Sequence, residues 1–347
     1  MQYINIWDYK DKRYPFQIFI GGRGTGKSYS GLSGAINYTS WYGDKFILMR
    51  RTAQELDLML DSDRGEGANP FKPINKDLDV NIGLHKIVKN LAGIYHREFS
   101  DNKMEPVGAP IGYGVALSTI ASIRGIDFSD VSLCIYDEFI PEKHVRKIKN
   151  EGAALLNAYE TICRNRELNG EDPVTMFLLS NSNDIYNDVF IELGLVLEIE
   201  KLLRKNKADL YIPERGLAIH LLQPAEEFAQ SKAQTAVMKL AKGTAFADMA
   251  LDNKFSYNDF SLLGSQPLTG YRPVCHIGKA YIYKKKGSRF YYVSYAPAQC
   301  PRLSIDNEQD RMRFYNEYGR HLKPIFVKGK ILFESYELKR QILDLIL

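Results

Sequence analysis

The run Phe16-Gln17-Ile18-Phe19-Ile20-Gly21-Gly22-Arg23-Gly24-Thr25-Gly26-Lys27-Ser28 passes from an apolar strand pattern into a glycine-rich loop and then a helix. From Gly21 to Ser28 it fits G-x-x-x-x-G-K-[ST]. In that pattern the glycines let the backbone N–H groups of residues 21–26 turn toward phosphate. Lys27 would reach the β/γ-phosphates and the Ser28 hydroxyl would bind Mg²⁺. The helix that follows carries Leu32, Ala35 and Ile36 on one face and presents its N-terminus to the same negative charge. A strand before and an amphipathic helix after are the context this motif requires; a glycine-rich turn is the plainer alternative.

Working outward, apolar strand patterns recur at Phe46–Met49, Tyr113–Ser118, Val131–Tyr136 and Val174–Ser180, alternating with helical patterns. That alternation predicts an α/β fold with a parallel sheet. The third of these strands runs straight into Asp137-Glu138. Beside a phosphate loop, Asp137 would hold the Mg²⁺ shell and Glu138 would orient and polarise the attacking water. Val174–Ser180 ends at Ser180-Asn181, and Asn181 is the candidate γ-phosphate sensor; a helix cap or plain turn is its ordinary alternative. The stretch 78–112 reads as a hairpin or an inserted excursion.

The helix pattern over Glu151–Leu168 has an apolar stripe of Leu155, Leu156, Tyr159, Ile162 and Cys163. At ~100° per residue Arg164 faces away from that stripe and Arg166 continues it. An outward arginine near a nucleotide edge is where a finger entering a neighbour's site would lie, with Arg23 as the competing finger in cis. Arg50-Arg51, at a strand end, could touch nucleotide or DNA, but solvated charge is the plainer reading.

With 347 residues, 45% hydrophobic and 25% charged, the chain can bury a core in two domains. No apolar run approaches the ~18 residues of a membrane span, and the first residues lack a secretory apolar stretch, which predicts a cytosolic protein without a membrane partner. Four scattered cysteines and six unpaired histidines predict neither a disulfide framework nor a metal site built from protein ligands alone. Net charge is +4, but residues 271–347 hold 15 Lys and Arg against 7 Asp and Glu, a net of +8, leaving the first 270 at −4. A basic C-terminal quarter points to a polyanion. There the β texture over 280–295 carries Lys284, Lys285, Lys286 and Arg289 around a turn. These are the candidate DNA-phosphate contacts, whereas Tyr281 and Tyr283 alternate as half-buried strand residues do.

The phosphate loop together with IYDEFIPEK (135–143), NEGAALLNAYETICRNREL (150–168), LLSN (178–181) and GTAFADMALDNKF (243–255) resembles the DNA-packaging ATPases of phi-29-type tailed phages. The resemblance implies three parts: an additional-strand, catalytic-glutamate (ASCE, RecA/FtsK-like) P-loop ATPase domain over 1–229, a small helical linker over 230–258, and an RNase H-like domain over 259–347. It implies ATP and Mg²⁺ as cofactors, with Lys27 and Ser28 on phosphate and metal, Asp137 on the metal, Glu138 catalytic and Arg164 the finger in trans. It further implies a homopentameric ring at the portal of an empty procapsid in the host cytoplasm, threading double-stranded DNA inward and absent from the mature virion. Whether a structural RNA helps dock the ring is left open. Because the acids of 271–347 avoid the 280–295 hairpin, a nuclease fold without nuclease activity is expected. A P-loop helicase or recombination ATPase, and a non-hydrolysing nucleotide-gated DNA-binding scaffold, are the competing readings.

Overall fold

The computed structural model describes residues 3–61, 67–100, 103–141, 145, 148–181, 184–223, 226–244 and 259–347. The chain divides into a larger unit, Met1–Leu193 with Leu202–Tyr257, and a smaller one, Gly194–Lys201 with Asn258–Leu347.

In the larger unit, strands β1 (Phe16–Gly21), β2 (Lys45–Arg50), β3 (Ile82–Val88), β4 (Leu91–Ser100), β5 (Lys103–Ala116), β6 (Val131–Asp137), β7 (Thr175–Ser180), β8 (Asp209–Ile212) and β9 (Leu217–Leu222) form one sheet. Their order is β3-β4-β5-β2-β6-β7-β1-β9-β8. The stretch from β5 to β9 in that order is parallel, and the two edges are antiparallel. The ambiguous 78–112 segment is therefore most of an antiparallel ribbon grafted onto the parallel core.

The central strands read as continuous apolar runs because both their faces are covered. Phe19, Ile135, Phe177 and Leu179 join the core that contains Leu32, Ala35 and Ile36 of helix α1 (Lys27–Tyr42). Ile18, Met176 and Leu178 face Leu155 and Leu156 across a small apolar cavity of about 190 Å³. The latter two belong to α4 (Glu151–Cys163), which follows the short α2 (Ala53–Asp57) and α3 (Lys72–Leu78). On α4 the expected stripe is shifted: Leu155, Ala158, Ile162 and Cys163 are buried, whereas Leu156 is 48% exposed. The side of the stripe that apolar counting missed is occupied by Glu151, 2% exposed.

Helices α5 (Asp188–Glu192), α6 (Val196–Arg204), α7 (Glu226–Ala233) and α8 (Ala236–Leu240) follow. The first part of the expected helical linker over 230–258 is covered by α7 and α8, which are helical as far as Leu240. The rest of the expected linker, and of the 243–255 motif, lies outside the described residues from 245 on, as do Glu142, Lys143 and His144. Among the described residues no helix is long and apolar enough to cross a membrane.

The smaller unit is α+β. Strands β10 (Tyr271–Ile277), β11 (Ala280–Lys285) and β12 (Tyr291–Ser294) make an antiparallel meander. It is flanked in parallel by β13 (Arg302–Leu303) beside β10 and β14 (Ile331–Phe333) beside β12. Helical segments Glu308–Phe314, Arg320–Val327 and Tyr336–Ile346 complete it. Leu322, Leu338 and Ile342 pack with Ile282, Val293 and Phe333 in its core. Buried Lys339 donates to the Asp259 carboxylate at 2.7 Å and to the Ser261 carbonyl at 2.8 Å, so the ammonium is paired where apolar neighbours would otherwise destabilise it.

Candidate nucleotide site

Strand β1 ends at Gly21, and the chain turns back through Gly24 and Gly26, whose φ values of 79° and 98° are left-handed conformations that a side chain would strain. A Cβ on Gly26 would also meet Tyr3 Cβ at 2.9 Å. α1 therefore starts at Lys27 with its first N–H groups aimed into the loop. The Lys27 ammonium donates to the carbonyls of Gly21 and Gly22, both at 2.9 Å, and to Thr25 Oγ1 at 3.2 Å. Thr25 in turn donates to Gly22 O at 3.0 Å. Burial pulls Lys27 down to a pKa of about 7, and the nearby Asp137 and Glu138 carboxylates offset that desolvation only in part. Arg23 is exposed, and its carbonyl accepts a hydrogen bond from Lys232 of α7.

Strand β6 brings Asp137 to the loop, where Ser28 Oγ donates to Asp137 Oδ1 at 2.8 Å. Burial raises the Asp137 carboxyl pKa against the opposing pull of Arg50, Ser28 and Lys27. Glu138 lies just past the strand with φ 58°, an uncommon conformation for a side-chain-bearing residue, of the kind found at functional turns. Asn181, just beyond β7, donates to Glu138 Oε1 at 3.2 Å. Loop, Asp137, Glu138 and Asn181 thus converge although 160 positions separate Gly21 from Asn181.

Arg50 is the residue that sequence reasoning placed wrongly. The end of β2 is not solvated: Arg50 Nη1 donates to Asp137 Oδ2 at 2.9 Å and Nη2 to Glu138 Oε2 at 2.7 Å, with the side chain 11% exposed. Arg51, 2% exposed, forks onto Glu151 through Nε at 2.6 Å and Nη2 at 2.9 Å, and Tyr136 Oη donates to the same carboxylate at 3.2 Å. Two arginines closing an apolar strand next to an Asp-Glu strand were the available signal. Which carboxylates they meet depends on strand order.

Arg164 is exposed, but α4 ends at Cys163 instead of continuing to Leu168, so the backbone leaves the helix at Arg164 and the helical angle does not set where it faces. It caps α4 with φ 50°, and its Nη2 donates to the carbonyls of Ile126 at 2.6 Å and Arg124 at 3.2 Å. Arg166 donates to Val131 O and pairs with Glu171 at 3.2 Å. In the smaller unit Lys285, Lys286 and Arg289 are exposed around the turn after β11, and Lys284 is half-buried over the Tyr291 ring at 5.8 Å. Tyr283 is buried in the sheet beside an equally buried Ile282, and Tyr281 is only partly buried, so the strand does not alternate as a half-buried one would.

A cleft of about 480 Å³ opens over Lys27 and Ser28, with Tyr3, Tyr29, Asp77 and Asn181 among its walls. Ser28 Oγ and the Asp137 carboxylate form a hard oxygen pair suited to Mg²⁺, which characteristically takes one or two protein oxygens and completes its shell with phosphate and water. Those residues fit the ion, and the buried lysine fits the phosphates.

The family described as Podovirus DNA encapsidation protein (Gp16) matches residues 3–266. The DNA packaging protein of Bacillus phage phi29 is 31% identical over 237 residues, covering 68% of this chain and 60% of that protein. That of Bacillus phage B103 is 30% identical over 239 residues, covering 68% and 63%. The match thus spans less than two thirds of the length of these curated relatives. A chain of "The bacteriophage Phi-29 viral genome packaging motor assembly" aligns with a TM-score of 0.65 at 21% identity, covering 99% of this chain and 98% of that one, so the likeness of fold runs the length of the chain.

Proposed function

The chain belongs to the podovirus DNA encapsidation protein (Gp16) family, and from that premise we propose that it is an ATP-driven translocase that packages double-stranded DNA into a procapsid. The observation that carries the catalytic part is that Lys27, Ser28 and Asn181 line one cleft, with Asp137 hydrogen-bonded to Ser28 and Glu138 to Asn181. The strand between the phosphate-loop strand and the Asp-Glu strand, β7, supports assignment to the additional-strand, catalytic-glutamate class.

In this reading Lys27 leaves the loop carbonyls for the β/γ-phosphates and regains its full charge there. Ser28 and Asp137 would hold Mg²⁺, which supplies positive charge to the leaving phosphates. Glu138 accepts a proton from water as the water oxygen bonds to the γ-phosphorus; the bond from that phosphorus to the bridging oxygen breaks, giving ADP and phosphate. Asn181 keeps Glu138 in register with the γ-phosphate. Glu138 can act as a base only once it is no longer held by Arg50.

The coupling half follows the family. We assign a homopentameric ring at the portal, with Arg164 entering the neighbour's site and Lys284, Lys285, Lys286 and Arg289 contacting DNA phosphates. Its place of action would be the procapsid in the host cytoplasm. The domain scheme is an ATPase body, a helical linker and an RNase H-like part without nuclease activity. The mixed sheet with flanking helices in residues 271–347 is compatible with that last part. Glu138→Gln tests the core claim: ATP binding should persist while phosphate release falls by ~10²–10⁴-fold. Wild-type turnover by that variant would refute it.

A further inference from the structure

We infer that the nucleoside end of the bound triphosphate leaves the phosphate cleft between Tyr3 and Tyr29 and lodges in an aromatic cleft along α1 that recognises a nucleobase by stacking. The inference rests on the phosphate-site reading above and adds the part of the ligand that reading leaves unassigned.

The cleft, about 590 Å³, is lined by Trp7, Tyr38, Trp41 and Tyr42 together with Tyr3 and Tyr29. Only the last two rings, among these, also line the phosphate cleft. The two spaces therefore share Tyr3 and Tyr29 as common wall. Asn181, bonded to Glu138, marks the hydrolysis end of the phosphate cleft. Tyr3 and Tyr29 mark the part of its wall that the second cleft shares, so a nucleotide with its γ-phosphate at Glu138 has its nucleoside directed at these rings.

The platform is built rather than incidental. The N-terminal segment is laid along α1 by Ile4 N–H donating to Thr25 O at 3.0 Å and Trp7 Nε1 donating to Ser30 O at 2.9 Å. Gly34 makes room for the indole, since a Cβ there would lie 1.9 Å from Trp7 Nε1. Tyr29 is held by its hydroxyl donating to Asp77 Oδ2 at 2.9 Å. Lys10 Nζ sits 4.0 Å from the Tyr38 ring centroid and 5.0 Å from that of Trp7, so the cleft joins aromatic faces to a cation. Rings of this kind suit a flat π-system, and the volume lies in the range of small-molecule clefts.

The experiment compares Mg–ATP with Mg–tripolyphosphate, which has the phosphates and no nucleoside, on the full chain by titration calorimetry and tryptophan emission. Trp7 and Trp41 are the chain's two tryptophans, and both line the cleft, so emission reports on it directly. Wild type should bind ATP at least ~10-fold more tightly than tripolyphosphate, and ATP alone should change the emission. Tyr3→Ala and Tyr29→Ala should erase most of that margin by weakening ATP far more than tripolyphosphate, and Tyr29→Phe should keep it. Equal affinities in wild type, an equal emission response to both ligands, or parallel weakening of both ligands by the tyrosine variants would each overturn the inference. If Lys27→Ala binds both ligands as wild type does, the phosphate-site reading falls and takes this one with it. A Lys27-dependent site with no nucleoside margin would sink this inference alone.

Discussion

Arg50 Nη2 lies 2.7 Å from Glu138 Oε2, so the carboxylate proposed to activate water is tied to a cation. The same guanidinium reaches Asp137 at 2.9 Å, so one side chain bridges both acids of the site. A glutamate in that arrangement is a weak base until the arginine is drawn away or shared.

Arg50→Ala removes the partner of two carboxylates, one of them buried. Breaking such a pair typically costs ~3–5 kcal/mol. Stability in urea should fall toward that range without nucleotide, with a smaller loss when Mg–ADP is bound, because that ligand returns positive charge to Asp137. A variant as stable as wild type without ligand would contradict the pairing.

Lys27 gives a proton-linked signature. Its pKa of about 7 in the nucleotide-free fold lies below the lysine value of 10.5, so the unfolded chain binds the extra proton between those limits. Stability of the nucleotide-free protein should accordingly rise with pH across that window, by up to ~1.4 kcal/mol per unit, and the full penalty applies below pH 7. Triphosphate restores the charge, so binding at pH 8 should take up close to one proton and binding at pH 6 almost none. Calorimetry in buffers of different ionisation enthalpy measures this, and Lys27→Ala should abolish the uptake.

The buried fork between Arg51 and Glu151 calls for a double-mutant cycle. Arg51→Met and Glu151→Leu should each cost ~3–5 kcal/mol, and the double variant much less than the sum, because neither charge is then stranded. Additive losses would show that the pair does not act as a unit.

If Arg164 serves the neighbouring subunit, Arg164→Ala and Glu138→Gln chains should both be inactive alone and regain part of the ATPase rate when mixed. Interfaces that pair an intact Glu138 with an intact Arg164 account for that recovery. Zero recovery at every mixing ratio would remove Arg164 from the site.

Replacing Lys285, Lys286 and Arg289 with Ala should weaken duplex binding about equally for all sequences. It should also flatten the dependence of log affinity on log salt by roughly 0.9 for each DNA phosphate that is no longer neutralised. An unchanged slope would take this turn off the DNA path.

Much of the parallel core was legible because β1, β6 and β7 are covered on both faces and so appear as unbroken apolar runs. The phosphate loop was legible for a different reason. Gly24, Gly26, Lys27 and Ser28 lie within five positions, and their chemistry depends on backbone freedom and neighbours along the chain. The ribbon from β3 to β5 was harder, since its glycines and exposed far end give no clean period. The α4 stripe misled by one position because a paired glutamate, Glu151, occupies part of the buried face.

Motif chemistry of this kind is written locally, in a dozen consecutive residues that meet whatever the rest of the chain does. The environment of Arg50 is not. It required β2 to lie beside β6 in the register that sets Met49 opposite Tyr136, bringing Arg50 to Asp137 across 87 positions. Strand order is settled by how crossover helices cover the sheet and by the burial they achieve together. A charge at a strand end therefore looks the same in one dimension whether it will meet solvent or a pair of carboxylates.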